Sequence, residues 1–332
     1  MKLIFFLIAF SLLSIRVYFS WSGKDKEKKG ESTSNMVIKS DNFYEEIKYS
    51  GKFQLTNDET GFKSISPGGY FKYRKNEVSV KAESNLKGEI DYRIYDGGKN
   101  LTLEEEGKKL VAEAIREMIV WGFDAKTRME RIYQKGGSHA LINEIDSMKT
   151  DQIKAIYLDR IFGSDSSLSE DLPAILLKIG SLGSDNDKSL FLKRISPDQL
   201  KNPLIAAAYF LVIEKMGSDM DKAGLLQFIL DQDSVTEENA GKILALSAQL
   251  GSDMDKASLY RKMISRGLIN GQLFDSLLNR VSAIGSDMDK ANLLIAISQK
   301  IPKIEQVKAS YLKAAKTIHN DADYGRVLRA VE

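Results

Sequence analysis

The hexapeptide GSDMDK at residues 217–222 decides the architecture of most of this chain. Copies in the same 34-residue phase lie at 183–188 (as GSDNDK), 251–256 and 285–290, with degenerate copies at 151–154 and 319–323. Self-similarity at a period of this length is typical of stacked structural repeats. The sequence therefore predicts a repeat array over residues 149–332, with units starting near 149, 183, 217, 251, 285 and 319.

Each copy of the hexapeptide, called the repeat mark below, has the composition of a helix boundary. We expect Gly217 to end one helix, Ser218 to cap the next, and Asp221 to complete a Ser-x-x-Asp capping box. Asp219, in the first turn, interacts favourably with the positive end of the helix dipole. The predicted caps across the array are Ser184, Asp187, Ser218, Asp221, Ser252, Asp255, Ser286 and Asp289.

Apolar residues recur in fixed columns after each mark and define two helices per unit. Leu225, Leu226 and Ile229 correspond to Leu293, Leu294 and Ile297, and Ile243, Leu244 and Leu250 correspond to Leu277, Leu278 and Ile284. A helical hairpin of this kind buries both apolar faces only by stacking on its neighbours. The period is that of tetratricopeptide repeats, but their Trp-x-x-Leu-Gly-x-x-Tyr signature is absent. We therefore predict a tetratricopeptide-like or HEAT-like α-solenoid.

Two columns of the mark are less easily explained by a helix boundary. A lysine near a helix N-terminus is mildly unfavourable, so we expect Lys222 to pair with Asp219 or with a carboxylate of the neighbouring repeat. The methionine column either packs against the preceding helix end, which we favour, or forms an exposed ladder for a partner. The candidate partner contacts are Lys188, Lys222, Lys256, Lys290, Met220, Met254 and Met288.

Residues 42–98 alternate apolar and polar side chains, as in Phe71 and Tyr73 or Val78 and Val80. With turn signals at 66–69 and 96–98, this pattern predicts a small antiparallel sheet of about five strands with one buried face. Of its aromatic residues, Tyr70, Tyr73, Tyr92 and Tyr95 either bind a peptide or sugar or, as we favour, form core and cross-strand pairs.

Helices follow the sheet over residues 99–148 as a connector that packs on it. The first is expected to start at Thr102, with Glu105 reaching back to its cap, and to stop at Gly122. Two shorter helices are expected near 124–134 and 138–147. The predicted fold class is α+β: a small N-terminal antiparallel sheet domain followed by an all-α solenoid of two-helix repeats.

The first 22 residues have the pattern of a targeting segment. Lys2 precedes an apolar run over residues 3–13, which is too short to span a bilayer alone. A cleaved signal peptide, a retained anchor and a buried structural helix remain open, and the first two, which we favour, imply export. Residues 23–41, rich in Lys, Glu, Ser and Gly, are expected to be a flexible linker.

The chain also resembles a group of bacterial exported proteins that includes extracellular regions attached to membrane metallopeptidases of the BlaR type. The likeness rests on SISPGGY at 64–70, WGFDA at 121–125 and the Ser-Asp-x-x-Lys helix starts, and extends over roughly residues 43–332. The resemblance implies export and a sensory or regulatory setting. The peptidase motif His-Glu-x-x-His is absent, so it implies no proteolytic role.

Composition limits the chemistry. There are no cysteines, two histidines and a net charge of +2, so thiol chemistry is excluded and a concentrated basic face for nucleic acid is not indicated. His139 and His319 are expected to be surface or capping residues. The paired aspartates resemble calcium loops, but Leu230 stands where an EF-hand needs glutamate.

We therefore expect an exported, non-enzymatic scaffold with a protein or peptide partner, periplasmic or extracellular, and membrane-attached only through an N-terminal anchor. No catalytic residue, cofactor or metal is expected. A calcium-dependent surface protein and a carboxylate-based hydrolase are the alternatives.

Overall fold

A computed structural model of the chain describes residues 6–7, 16–20, 32–40, 43–163, 170–300 and 305–331. The chain divides into two compact units, Met1–Ala125 and Lys126–Glu332. In its described residues the first unit contains all the strands and one helix, whereas the second is helical throughout. The fold is α+β, as the sequence predicted.

The first unit is built on an antiparallel sheet with the strand order β1-β2-β3-β4-β7-β8-β9-β10 over the described residues. Its strands are β1 (Phe6–Leu7), β2 (Arg16–Ser20), β3 (Ser32–Ser40), β4 (Phe43–Gly51), β7 (Tyr70–Lys75), β8 (Val78–Ser84), β9 (Ile90–Asp96) and β10 (Lys99–Leu101). Between β4 and β7 the chain forms a separate two-stranded sheet of β5 (Phe53–Leu55) and β6 (Phe62–Ile65).

The alternation that predicted the strands also decides which face is buried. Phe71 and Tyr73 on β7 lie opposite Ala82 and Val80 on β8, and all four side chains are buried. The intervening side chains are more exposed because successive residues of a strand point to opposite faces. Helix α1 (Glu105–Val120) contacts β8 and β9 and belongs to the same unit.

The sheet begins earlier in the chain than the sequence indicated and is larger than about five strands. Strand β3 lies within the predicted linker, and all nine of its residues pair with β4, from Ser32 opposite Gly51 to Ser40 opposite Phe43. This corrects the linker prediction for residues 32–40. Strands β1 and β2 lie within the predicted targeting segment; the rest of that segment and of the linker lies outside the described residues.

Helix α1 is capped two residues later than predicted. Its N-cap is Glu104, without a side-chain hydrogen bond, so Thr102 and Glu105 form no capping box. The carbonyl oxygen of Thr102 lies so close to Gly107 that a Cβ atom there would be 2.0 Å from it, so this approach of the chain to the first turn of the helix requires glycine. The predicted stop is present, since Gly122 has a φ of 100°.

Besides a 3₁₀ helix at Pro197–Lys201, the described part of the second unit contains twelve α-helices. They are α2 (Ala125–Ile145), α3 (Asp151–Phe162), α4 (Leu172–Gly180), α5 (Asp185–Leu192), α6 (Pro203–Lys215), α7 (Asp219–Leu230), α8 (Glu237–Ser247), α9 (Asp253–Ser265), α10 (Gly271–Ser282), α11 (Asp287–Ser298), α12 (Glu305–Ala315) and α13 (Asp321–Arg329). Helix α2 is broken at Gly136 and Gly137, which separate the two helices predicted there. None of the described helices is both long and apolar enough to cross a membrane.

The repeat appears in the structure with a constant phase. The first helix of each unit, from α3 to α13, begins with an aspartate, and these helix starts are 34 residues apart. First helices contact first helices of adjoining units, as in α7 with α9, and second helices likewise contact second helices, as in α10 with α12. The columns predicted to be apolar are buried, so stacking of units forms the core, as predicted.

Candidate functional site

The serines of the four complete repeat marks cap the first helices of their units. Each serine Oγ accepts a hydrogen bond at 3.2 Å from the backbone N–H of the aspartate three residues later, in the pairs Ser184–Asp187, Ser218–Asp221, Ser252–Asp255 and Ser286–Asp289. In the last unit Asn320 does the same for Asp323, at 3.0 Å. These side chains satisfy N–H groups that have no partner inside the helix.

In a capping box, the backbone N–H of the N-cap residue also donates to the side chain three residues later. In the unit that begins at Gly217, this N–H bonds instead to the preceding repeat. The N–H of Ser218 donates to Asp185 Oδ2 of the preceding unit at 2.9 Å, rather than to Asp221. The N–H of Gly217 donates to the same oxygen at 2.7 Å. Asp185 therefore does more than favour its own helix dipole, because its carboxylate holds the start of the next unit.

This contact recurs along the array and is called the inter-repeat latch below. In each case Oδ2 of the first aspartate of one unit accepts a backbone N–H 32 residues later. The pairs are Asp151–Gly183, Asp185–Gly217, Asp219–Gly251 and Asp253–Gly285, each at 2.7 Å, and Asp287–His319 at 2.9 Å. The latch is not predictable from one copy of the mark, because its donor and its acceptor lie in different repeats.

The latch also changes the explanation of the glycines. Gly217 directly follows Met216, the C-cap of α6, as predicted, but no described glycine of a repeat mark has a positive φ, so the helix does not end there through a left-handed glycine. A Cβ atom on Gly251 or Gly285 would instead lie 3.0 Å from the carboxylate oxygen of the preceding unit. The carboxylate therefore approaches the backbone closely at Gly251 and Gly285, although the latch itself accepts a side chain at this position, since His319 occupies it in the last unit.

The electrostatics of the latch favour ionised aspartates. Burial opposes ionisation of Asp185, but hydrogen bonds from Lys188 and from the N–H groups of Ser218 and Gly217 outweigh it and lower the pKa of this carboxyl. The hydrogen bond from Gly285 is the main cause of the lowered pKa of Asp253. Hydrogen bonds to an ionised acceptor are shorter and stronger than neutral ones.

The lysines of the mark lie inward. The ammonium groups of Lys188, Lys256 and Lys290 lie 2.8, 3.2 and 3.3 Å from Oδ1 of the aspartate three residues earlier. Lys290 also donates to the carbonyl of Thr317, just after α12, at 2.9 Å. A helix C-terminus is negative, so this carbonyl compensates for placing a cation at a helix N-terminus.

The burial of three of the four lysines argues against a contact of those three with a partner. Lys188, Lys222 and Lys290 are buried, and Lys256 is partly exposed. Lys222 forms no ion pair with any described residue, contrary to the pairing expected with Asp219 or a neighbouring carboxylate.

The methionines lie outward. The side chains of Met220, Met254 and Met288 are 78, 71 and 60% exposed, so they do not pack against the preceding helix end as we favoured. Each is the second residue of its helix, and the helices α7, α9 and α11 are neighbours. The alternative, an exposed column, is what the structure contains.

The remaining candidate residues are dispersed. Tyr73 is buried, and its hydroxyl donates a hydrogen bond to Glu45 Oε1 at 3.4 Å. Burial raises the pKa of Tyr73. Tyr95 is exposed, and Tyr70 and Tyr92 are half-buried. His139, on α2, and His319, in the loop before α13, are both exposed. Within the described residues no group of three or more His, Cys, Asp or Glu side chains is arranged to hold a metal ion. The absence of catalysis and of cofactors stays a prediction.

Comparison with protein-family models, with curated proteins and with solved structures finds no match to this chain. The likeness to extracellular regions of BlaR-type metallopeptidases therefore stays an expectation from the residues quoted above.

Proposed function

We propose that this chain is an exported, non-enzymatic scaffold, similar to tetratricopeptide or HEAT solenoids, that binds a protein or peptide at the bacterial cell envelope. The pattern of Lys2 and the apolar run over residues 3–13 supports export. The exposed methionine column supports binding and is the observation that carries the proposal.

The column has a regular geometry. Packed helices have axes about 8–10 Å apart, so methionines at the same position of three neighbouring helices repeat at about that distance. Large exposed apolar side chains in a regular row are uncommon on a protein without a partner. Methionine is unbranched and polarisable, which suits a surface that adapts to its ligand.

The residues beside the column indicate the chemistry of the partner. Asp221, Asp255 and Asp289 directly follow the three methionines, are partly exposed, and form no ion pair with any described residue. An amphipathic helix with apolar residues seven positions apart presents them about 10.5 Å apart, close to the spacing of the column. Lysine or arginine beside those residues would meet the aspartates. The proposed partner segment is therefore a basic amphipathic helix.

A designed peptide tests the surface directly. The probe is a helical peptide with leucines at seven-residue spacing and lysines beside them, and its match replaces the lysines with glutamates. We expect the full chain to bind the basic peptide at least about tenfold more tightly than the acidic one in fluorescence polarisation. Replacing Met220, Met254 and Met288 together with glutamine should weaken the basic peptide about tenfold or more.

The chain supplies a matched control for that variant. Three leucines on α4 and α6 are also exposed: Leu177, Leu204 and Leu211. Replacing all three with glutamine removes exposed apolar surface that lies outside the methionine column. This control should bind the basic peptide as the unmodified chain does. Equal loss in both triple variants, or equal binding of the two peptides, would refute the methionine surface. Affinity capture from the native envelope with the same two variants then identifies the natural partner.

The calcium alternative receives less support from the geometry. Oδ2 of Asp219 already accepts the N–H of Gly251, and Oδ1 of Asp253 lies beside the Lys256 ammonium. We therefore expect millimolar calcium to leave the melting temperature unchanged. A calcium-dependent rise that Asp219→Asn abolishes would establish the alternative instead.

A further inference from the structure

One cavity in the helical unit is lined by polar side chains at positions that are apolar in the preceding repeat unit. It has a volume of about 340 Å³ and lies among the end of α8, α9 and α10. Its lining residues are Ala248, Lys256, Tyr260, Ser276, Asn279, Arg280 and Ala283. Binding sites for small molecules have volumes of about 300–1,000 Å³ and combine an apolar wall with a few polar groups.

Three polar side chains in the cavity interrupt columns that are apolar in the preceding unit. Tyr260, Asn279 and Arg280 occupy the positions that Leu226, Ala245 and Leu246 occupy 34 residues earlier. Stacking alone is satisfied by the apolar residues, since Leu226 is fully buried and Leu246 nearly so. The three exchanges meet at a single cavity. Tyr260 is buried and its hydroxyl accepts a hydrogen bond from Ser247 Oγ at 3.3 Å, whereas Arg280 has no partner within the described fold, and it is the exchange that stacking does not explain.

The charges in the cavity favour an anion. Lys256 and Arg280 both line it, and Lys256 is the more exposed of the ion-paired lysines of the repeat mark, with 18% of its side chain accessible against 10% for Lys188 and 6% for Lys290. Asp253 compensates Lys256 at 3.2 Å. Arg280 forms no ion pair or hydrogen bond with a described residue, and its Nε atom is shielded from solvent without a partner.

A buried guanidinium nitrogen without an acceptor is costly, and its planar donors match a carboxylate in two-pronged geometry. The ring of Tyr260 and the methyl groups of Ala248 and Ala283 provide an apolar wall beside it. Ser276 and Asn279 add side chains that donate or accept hydrogen bonds. The combination suits an organic molecule with one negative end and an apolar body.

We propose that this cavity binds a small organic carboxylate, with Arg280 and Lys256 on the carboxylate and Tyr260 against the apolar body. The site goes beyond the scaffold function and does not depend on it, because none of the three methionines lines the cavity. Loss of the peptide surface would therefore leave this site intact.

Titration calorimetry on the full chain tests the site with a matched pair of probes. N-acetylphenylalanine carries the carboxylate and an apolar body, and its amide has the same body without the charge. We expect the acid to bind at least about tenfold more tightly than the amide. Inorganic phosphate, which has charge but no apolar body, should bind more weakly than the acid. Equal affinity for the amide or for phosphate would overturn the assignment.

Variants locate the site on the chain. Arg280→Leu restores the residue of the preceding unit and should lower the affinity for the acid about tenfold or more, whereas Lys215→Leu removes an exposed charge elsewhere and should leave it unchanged. Tyr260→Leu, which also restores the column residue, provides a second variant should Arg280→Leu fail to fold. The acid binding equally to a folded Arg280→Leu or Tyr260→Leu chain, or not at all to the unmodified chain, would refute the proposal.

Discussion

At the scale of the residue, the first aspartate of each repeat mark connects two units through one side chain. Asp185 accepts the N–H groups of Gly217 and Ser218 with one oxygen, while its other oxygen meets Lys188. These N–H groups lie just outside the next helix, where backbone donors have no intrahelical acceptor. The carboxylate thus satisfies a helix start in a unit other than its own.

The serine caps can be tested singly. Ser218→Ala removes the acceptor of the Asp221 N–H, and we expect a loss of about 0.5–2 kcal/mol in the free energy of unfolding, measured by urea denaturation. Ser258→Ala is the matched control, because Ser258 is exposed in the interior of α9, where alanine is the better helix former. Equal stability of the Ser218→Ala and unmodified chains would contradict the assigned cap.

The latch predicts a dependence of stability on pH. The pKa of Asp185 is lowered in the folded chain, so its contribution is present above the unfolded pKa of about 4 and is lost as the pH falls through the folded value. Asp185→Asn should therefore be less stable than the unmodified chain at pH 7, and the difference should shrink towards pH 2. Asp187→Asn, at the same helix start but outside the latch, is the control. A difference that stays constant with pH would argue against the ionised latch.

At the scale of the element, glycines with different surroundings should respond in opposite directions. Gly251→Ala places a Cβ atom 3.0 Å from Asp219 Oδ2, so it should cost about 0.5–1.5 kcal/mol by weakening one hydrogen bond. Gly224→Ala, in the interior of α7 with nothing within 4 Å, should stabilise by about 0.5–1 kcal/mol. Thermal denaturation of both variants checks the pair, and stabilisation by Gly251→Ala would show that Asp219 moves aside for the new methyl group without weakening the latch.

The boundaries of the first helices could be predicted from the sequence, whereas those of strand β3 could not. The first helices start at the expected positions because caps and apolar columns are local signals repeated in one phase. Strand β3 was missed because its N-terminal half, including Thr33 and Asn35, is polar and resembles a linker. Its order comes from pairing with β4, and strand formation depends on such partners more than on intrinsic preference.

Candidate surfaces were predicted less well than boundaries, for the same reason. The sequence placed Met220 and Lys222 in regular columns, but the columns alone did not show which faced solvent. The structure places the methionine outside and the lysine inside. The cavity beside Arg280 depends on residues from three helices, and a reading of one column at a time could not assemble it.

At the scale of the whole molecule, the latches make the helical unit a chain of neighbour contacts. Each described latch joins a unit to the next one, through hydrogen bonds that span 32 or 33 residues. In such arrays stability is close to a sum of unit terms and nearest-neighbour terms. A broken latch should therefore act locally.

Hydrogen exchange can measure that locality. Asp253→Asn weakens the contact between the units that begin with α9 and α11, so we expect faster amide exchange in those two helices and at Gly285. Exchange in the sheet of the first unit, such as β7 and β8, should stay unchanged. Asp255→Asn is the control: it removes a negative charge two residues away but leaves the latch intact, so it separates the effect of the latch from the effect of the lost charge. Uniform acceleration across both units would mean that the chain opens as one cooperative body, and the latches would then contribute to global stability instead of to the coupling of neighbours.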